Sequence, residues 1–242
     1  MTGIKYLMIS IGTLFLSLVL TGSEVKAGEA KDDRIKLPAP RYEGKTSIER
    51  AMRERRSVRD YKNEPLTIPE ISQLLWSAQG ITASGGLRTA PSAGALYPLE
   101  VYIIVGNVTN MKSGIYKYIP ESHELVKVIE GDKRSELSNA ALHQSPIKEA
   151  PAVIVISAVY KRTTGKYGER GIRYVQMEAG HAAQNICLQT SGRTNALRAL
   201  LKAEQDRGPD FLRLANALSA LYPKTSEEKL LLDAMLLAVP RT

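Results

Sequence analysis

Arg55-Arg56-Ser57-Val58-Arg59 and, 32 residues further on, Pro91-Ser92-Ala93-Gly94-Ala95-Leu96-Tyr97-Pro98 are the two stretches on which this chain is read. The first gathers three guanidinium groups and a hydroxyl at the end of an expected helix. Guanidinium forks suit a phosphate, and such a cluster repels itself unless an anion sits among its members. The second is a turn-rich loop of small residues running into a β-branched strand, Val101 to Val105. Small residues let a flat ligand lie against the backbone. An arginine run alone is most often a solvated face. In this order and at this spacing, the two stretches point to a phosphate grip followed by a ring-side loop.

Outward from these stretches, Ser47 is the N-cap of a helix reaching Glu54, with Arg50 standing where a capping box would place an acid or amide. Thr67-Ile68-Pro69-Glu70 opens a second helix with a full capping box and Pro in its first turn. Ile71, Leu74, Leu75 and Ala78 give it an apolar stripe, and Gly80 ends it. Ser113–Ile119 and Glu124–Ile129 flank Pro120-Glu121-Ser122-His123 as a hairpin. Ser135–Leu142 reads as helix. Ala152–Val159 is a continuous apolar run, as expected of a strand covered on both faces. A long helix over about 173–189 carries Val175, Ala179, Ala182, Ala183 and Ile186 at helical spacing. Helices and strands in this order give an α+β sandwich with a central sheet.

Residues 47–190 resemble the nitroreductase family, and within it the subgroup of SagB-type dehydrogenases and thiazoline oxidases. The resemblance rests on Arg55–Arg59, on Ala90–Glu100, on Gly114-Ile115-Tyr116-Lys117-Tyr118 and on Glu178-Ala179-Gly180-His181-Ala182-Ala183-Gln184-Asn185-Ile186. It implies a sandwich whose central sheet is flanked by helices, FMN as cofactor, and a homodimer with two sites across the subunit interface. It also implies hydride transfer through flavin N5 to or from a small-molecule or peptide substrate, with NAD(P)H among the admissible donors. Carried over by position, Arg55, Arg56, Ser57 and Arg59 hold the FMN phosphate and ribityl chain. Pro91, Ser92, Ala93 and Gly94 line the flavin ring from the partner subunit. Many relatives carry Asn and Gln where this chain has Ala95 and Tyr97; the Tyr97 hydroxyl can still donate, whereas Ala95 cannot. His181 reads as a packed or capped histidine, Gln184 and Asn185 as satisfying backbone groups, and Cys187 as a small core residue.

After Thr190 the family pattern stops, so the flavin domain reads as truncated at its C-terminal side and followed by a helical tail, 191–242. Phe211, Leu214, Ala215, Leu218 and Leu221 form one stripe there, and Thr225 with Glu228 caps a further helix over 226–238. Gly192 to Val239 resembles the C-terminal end of adenine-specific DNA methylases without their catalytic motif. Losing the last family strands would expose a sheet edge.

Residues 1–27 read as a signal peptide: Lys5, an apolar run of 15 residues from Tyr6 to Leu20, and small residues at Val25 and Ala27. The run is short for a membrane span, which needs about 20 residues. The reading is therefore an exported protein, periplasmic or extracellular, with an uncleaved anchor left open. Residues 28–46 read as a linker.

The net charge of +8 is dispersed over the whole chain, with excesses of +2, +4 and +2 in residues 1–46, 47–190 and 191–242. A dispersed excess, with no recognisable binding module, argues against a nucleic-acid partner. One cysteine and three histidines argue against a zinc site. Two alternatives stay open at this stage: a degenerate, non-catalytic protein of the flavin fold, and an interaction protein using its tail.

Overall fold

The computed structural model describes residues 34–57, 61 and 63–191, and in the tail the backbone of 200–202 and 235–239. The segment read as a signal peptide, 1–27, Arg59 and the striped part of the tail lie outside the described residues. In chain order the elements are β1 (Arg34–Lys36), α1 (Ile48–Glu54), α2 (Ile68–Gln79), β2 (Leu99–Val105), β3 (Gly114–Ile119) and β4 (Glu124–Glu130). Then follow α3 (Arg134–Ala140), α4 (Ser145–Glu149), β5 (Ala152–Ala158), α5 (Tyr160–Tyr167), α6 (Arg170–Ser191), β6 (Leu200–Lys202) and β7 (Met235–Val239). The strands form one antiparallel sheet in the order β1-β4-β3-β2-β5-β7-β6.

The continuous apolar runs of β2 and β5 are explained by two cores. Alternate side chains of a strand point to opposite faces. Val101, Ile103 and Val105 of β2, with Ile154 and Ile156 of β5, pack with Ile71 and Leu74 of α2 and Val175, Ala182 and Ile186 of α6. Tyr102, Ile104, Val153 and Val155 point the other way, into a core with Leu137 of α3 and Ile147 of α4. With helices on both sides neither strand offers a face to water, so neither shows a polar alternation. The expected α+β sandwich is the architecture found.

Local signals set the helix ends. The Ser47 hydroxyl accepts from the Arg50 N–H at 3.3 Å to start α1. The Glu70 carboxylate accepts from the Thr67 backbone N–H at 2.8 Å to start α2, whose Pro69 lies in the first turn. Gly80 closes α2, its N–H bonding to the Trp76 carbonyl at 2.7 Å. A Cβ at Gly80 would stand 2.1 Å from the Trp76 ring, so a side chain is excluded there.

Two readings need correction. The segment read as a linker contains β1, which pairs with β4. Three residues are too few to show a period, and the strand is fixed by its backbone pairing with β4, Ile35 opposite Leu125, and by the burial of Leu37 just after it. The chain beyond it is fastened too: the Gln73 amide accepts from the Arg41 N–H at 2.8 Å and donates to the Arg41 carbonyl at 3.1 Å. In the tail, the helix expected over 226–238 gives way to strand at Met235–Val239, paired along β5. An apolar run of this length fits helix or strand by periodicity alone. The open backbone groups along β5 decide between them, and the edge expected to be exposed there is paired with β7.

Candidate functional site

The loop from α2 to β2 is built in two stages. Ile81 and Arg88 form an antiparallel bridge around Gly85 and Gly86, whose φ values are +88° and +80°. The chain then turns tightly through Ser92–Tyr97. The Ala95 N–H bonds to the Ser92 carbonyl at 3.1 Å, and the Tyr97 N–H bonds to the Ser92 hydroxyl oxygen at 2.9 Å. Gly94, Ala95 and Tyr97 all have positive φ, at 65°, 53° and 44°. Two non-glycine residues in that region cost free energy, and they persist where the surroundings over-determine them. A Cβ on Gly94 would stand 2.7 Å from the Tyr167 hydroxyl and 3.0 Å from Lys166 Nζ. The loop is thus a bare floor with a phenol and an ammonium of α5 close against it.

Around this floor lies a set of charges the sequence reading did not single out. The Arg88 guanidinium sits 4.4 Å from the centroid of the Tyr97 ring and donates to Gln79 Oε1 at 3.0 Å and Glu121 Oε1 at 2.9 Å. Arg162 of α5 donates to the Tyr97 carbonyl at 3.1 Å, and it shares Glu100 with Lys117, each at 2.6 Å. Beneath the loop, Glu178 of α6 is 2 % exposed. Burial pushes its carboxyl up to about 7, against the opposing pull of a hydrogen bond from Ser92 and the charge of Arg88. One signal could have found it: Val175, Glu178 and Ala182 share a helical stripe in which Glu178 alone is charged. Lys166 and Tyr167 were missed because their Gly- and Thr-rich surroundings hide a helix.

The arginine end is placed differently. Arg55 is the C-cap of α1, its N–H on the Ala51 carbonyl at 3.0 Å. Its charge acts on Cys187 of α6, partly offsetting the burial that pushes that thiol up to about 12. Arg56 is exposed and turns its guanidinium onto the Arg53 and Arg55 carbonyls at 3.0 and 2.8 Å. Ser57 is exposed. Arg55 therefore approaches α6 at Cys187, and the loop approaches it at Glu178. Nine helical residues separate those positions, about 13 Å along the axis.

On α6, Asn185 donates to the Thr89 carbonyl at 3.2 Å, satisfying a backbone group of the loop as expected. Cys187 is in the core. His181 is exposed in the single chain, so the packing expected for it is not found within one subunit. Two cavities flank the loop's supports, one of about 400 Å³ bounded by Arg88, Tyr97, Glu100 and Tyr118, the other of about 780 Å³ bounded by Tyr42, Trp76 and Asn185. Both are in the usual size range for cofactor and small-molecule sites.

The profile of the Nitroreductase family matches residues 52–193. The chain belongs to the nitroreductase family. Its members are generally flavin-dependent oxidoreductases. A nitroreductase-family protein of Methanocaldococcus jannaschii is 46 % identical over 159 residues, 66 % of this chain and 80 % of that one. The microcin B17-processing protein McbC of Escherichia coli is 32 % identical over 129 residues, 51 % of this chain and 47 % of its own length. Among solved structures, a Ralstonia eutropha nitroreductase-family protein superposes with a TM-score of 0.69 at 26 % identity, over 87 % of this chain and 90 % of the other. A Desulfovibrio desulfuricans member, solved in complex with FMN, has a TM-score of 0.54 at 18 % identity, over 80 % of this chain and 84 % of its own. In this nitroreductase fold the residues present suit a flat, anionic cofactor: Ser92, Ala93 and Gly94 are small, the groups over Gly94 are the far ends of the long Tyr167 and Lys166 side chains, and Arg88, Arg162 and Lys166 bring positive charge to the turn.

Proposed function

We propose that this chain is an FMN-dependent oxidoreductase of the SagB type, exchanging hydride with an electron-poor small molecule or a peptide azoline. When bound, FMN would supply hydride acceptance and donation at its N5. The observation that carries the reading is the small-residue turn Ser92–Gly94 surrounded by Arg88, Arg162, Lys166 and Tyr167. Arg55, Arg56 and Ser57, with Arg59 beyond the described residues, would hold the phosphate by charge-assisted bonds. Pro91, Ser92, Ala93 and Gly94 would line the ring, and Tyr97 would hold its edge. Tyr167 and Lys166 would hold or deliver a proton at the phenol oxygen or the ammonium. The relation to McbC supports the peptide branch of the reading, and NAD(P)H is the donor assigned to the small-molecule branch.

A homodimer is part of the proposal. Ile48 and Met52 of α1 and Ile172 and Met177 of α6 are large exposed apolar residues, which suits burial against a second copy. Export is the other part, resting on the order of charged, apolar and small residues in 1–27. Intact-mass analysis of the secreted protein should find cleavage near Ala27; a full-length chain held in the membrane would argue for an anchor.

The decisive measurement is an absorbance spectrum of the purified protein. Oxidised flavin gives bands near about 370 and 450 nm. A colourless protein that FMN cannot reconstitute would sink the reading and favour a non-catalytic member of the fold. Given a flavin, reduction by NADPH or NADH and oxidation of a thiazoline peptide, followed by mass, separate the two substrate branches.

A further inference from the structure

The Ser92 hydroxyl does two things at once. Its oxygen accepts the Tyr97 N–H at 2.9 Å, which closes the turn containing the three positive-φ residues. Its proton must then point elsewhere, and the buried Glu178 carboxyl lies beside it, with the Ser92 hydroxyl pulling that acid down against its burial. Glu178 is buried at 2 % exposure, and its Oε1 is buried without a hydrogen-bond partner. A buried acid with an unpartnered oxygen is a poor way to stabilise a core, since an unsatisfied charged acceptor is among the costliest groups to bury. A Leu or Met at this place in the stripe of α6 would pack without that penalty.

We propose that Glu178 is a positioning residue, which orients the Ser92 hydroxyl and thereby locks the ring loop in the geometry that receives the flavin. The assignment rests on the flavin reading above. Two further contacts fit it. Arg88, the charged group facing Glu178 from the loop side, is stacked on the Tyr97 ring at 4.4 Å, so the same turn is gripped from its other end. The Arg88 Nε is also buried without a partner, as expected of a group held in place for its direction and not for its own satisfaction. Removing the carboxyl frees the Ser92 hydroxyl to rotate. The Tyr97 N–H then loses its fixed acceptor, and Ala95 and Tyr97 can relax to negative φ, which moves the backbone floor.

The test is a double-mutant cycle with a conservative rescue, read by flavin binding and by urea unfolding of the flavin-free protein. Glu178→Ala and Ser92→Ala should each weaken FMN binding about tenfold, measured by quenching of flavin fluorescence. The double variant should be no weaker than either single one, because the two act as a unit. Glu178→Gln retains an oxygen that accepts from Ser92 and should bind FMN within threefold of the parent. Urea unfolding should show the same non-additivity and confirms that each variant folds. Additive losses, or a Gln variant as weak as Ala, would overturn the positioning role. Tight FMN binding by Glu178→Ala would also overturn it while leaving the flavin reading intact. A parent protein that binds no FMN would bring down the flavin reading and this assignment together.

Discussion

The turn at Ser92–Tyr97 is held from every side, whereas the arginine end at Arg55–Ser57 rests on backbone contacts of its own chain. The turn has Glu178 below, Arg88 against the Tyr97 ring, Arg162 on the Tyr97 carbonyl and α5 above Gly94. The arginine end has one capping N–H and a guanidinium folded onto two nearby carbonyls. A flat ring demands a surface fixed to within a fraction of an ångström, which only a rigid shell supplies. A phosphate tolerates long side chains that gather as it arrives. In the site proposed above, the ring half is preformed and the phosphate half is not.

The largest expected effect comes from breaking the rigid half. Gly94→Val places a β-branched side chain at positive φ, 2.7 Å from the Tyr167 hydroxyl. Strain and overpacking together should cost about 4 kcal/mol. Thermal melts should fall accordingly, and the purified variant should be colourless. A yellow, stable Gly94→Val protein would show that the floor yields.

Next is the pH dependence of the flavin-free protein. Below the ordinary value of 4.5 Glu178 is protonated whether the chain is folded or not, while between there and about 7 the unfolded chain ionises and the folded one resists. Stability from this group is thus present in acid and lost as pH rises through that window, by about 3 kcal/mol. Urea midpoints across this window should show the fall, and Glu178→Gln should flatten it.

Smaller effects sharpen the other side. Arg55→Ala should weaken FMN at least tenfold, in line with about 1.5–3 kcal/mol for a charge-assisted bond, with riboflavin hardly affected. Equal losses for both ligands would remove Arg55 from the phosphate. Arg56→Ala should weaken FMN less than Arg55→Ala does, by about threefold to tenfold, because its guanidinium must first leave the Arg53 and Arg55 carbonyls to reach the phosphate.

Much of this was legible in the order of residues. The capping boxes, the hairpin around His123 and the doubly covered strands each leave a local trace, because the physics that forms them acts within a few neighbours. What was illegible depends on distant parts of the chain. Strand β1 exists because the edge of β4, far along the chain, offers it backbone partners, the exposed ion pairs to Glu124 adding little. Helix α5 is rich in Thr and Gly, and it is kept by packing on α6, with Tyr167 edge-on to Tyr174 at 5.3 Å between ring centroids. Among the site residues, Pro91 to Gly94 were recognisable as a loop, the positive φ of Ala95 follows from tertiary contacts alone, and the burial of Glu178 left one local trace, a lone charge in the apolar stripe of α6. The strand at Met235–Val239 was read as helix because an apolar run does not declare its own partner.

The pairing of β7 with β5 also sets a timetable. Strand β5 finds β2 about 50 residues back, but its other edge waits for residues some 80 positions later. While the chain is being synthesised, Ala152–Ala158 therefore stands with one row of amides and carbonyls open, in a strand whose every residue is buried in the folded protein. Long-range pairings form slowly, and an open apolar edge is a template for other chains. Ribosome-bound or interrupted products ending before Met235 should accordingly be the species that chaperones retain and that aggregate when chaperones are scarce.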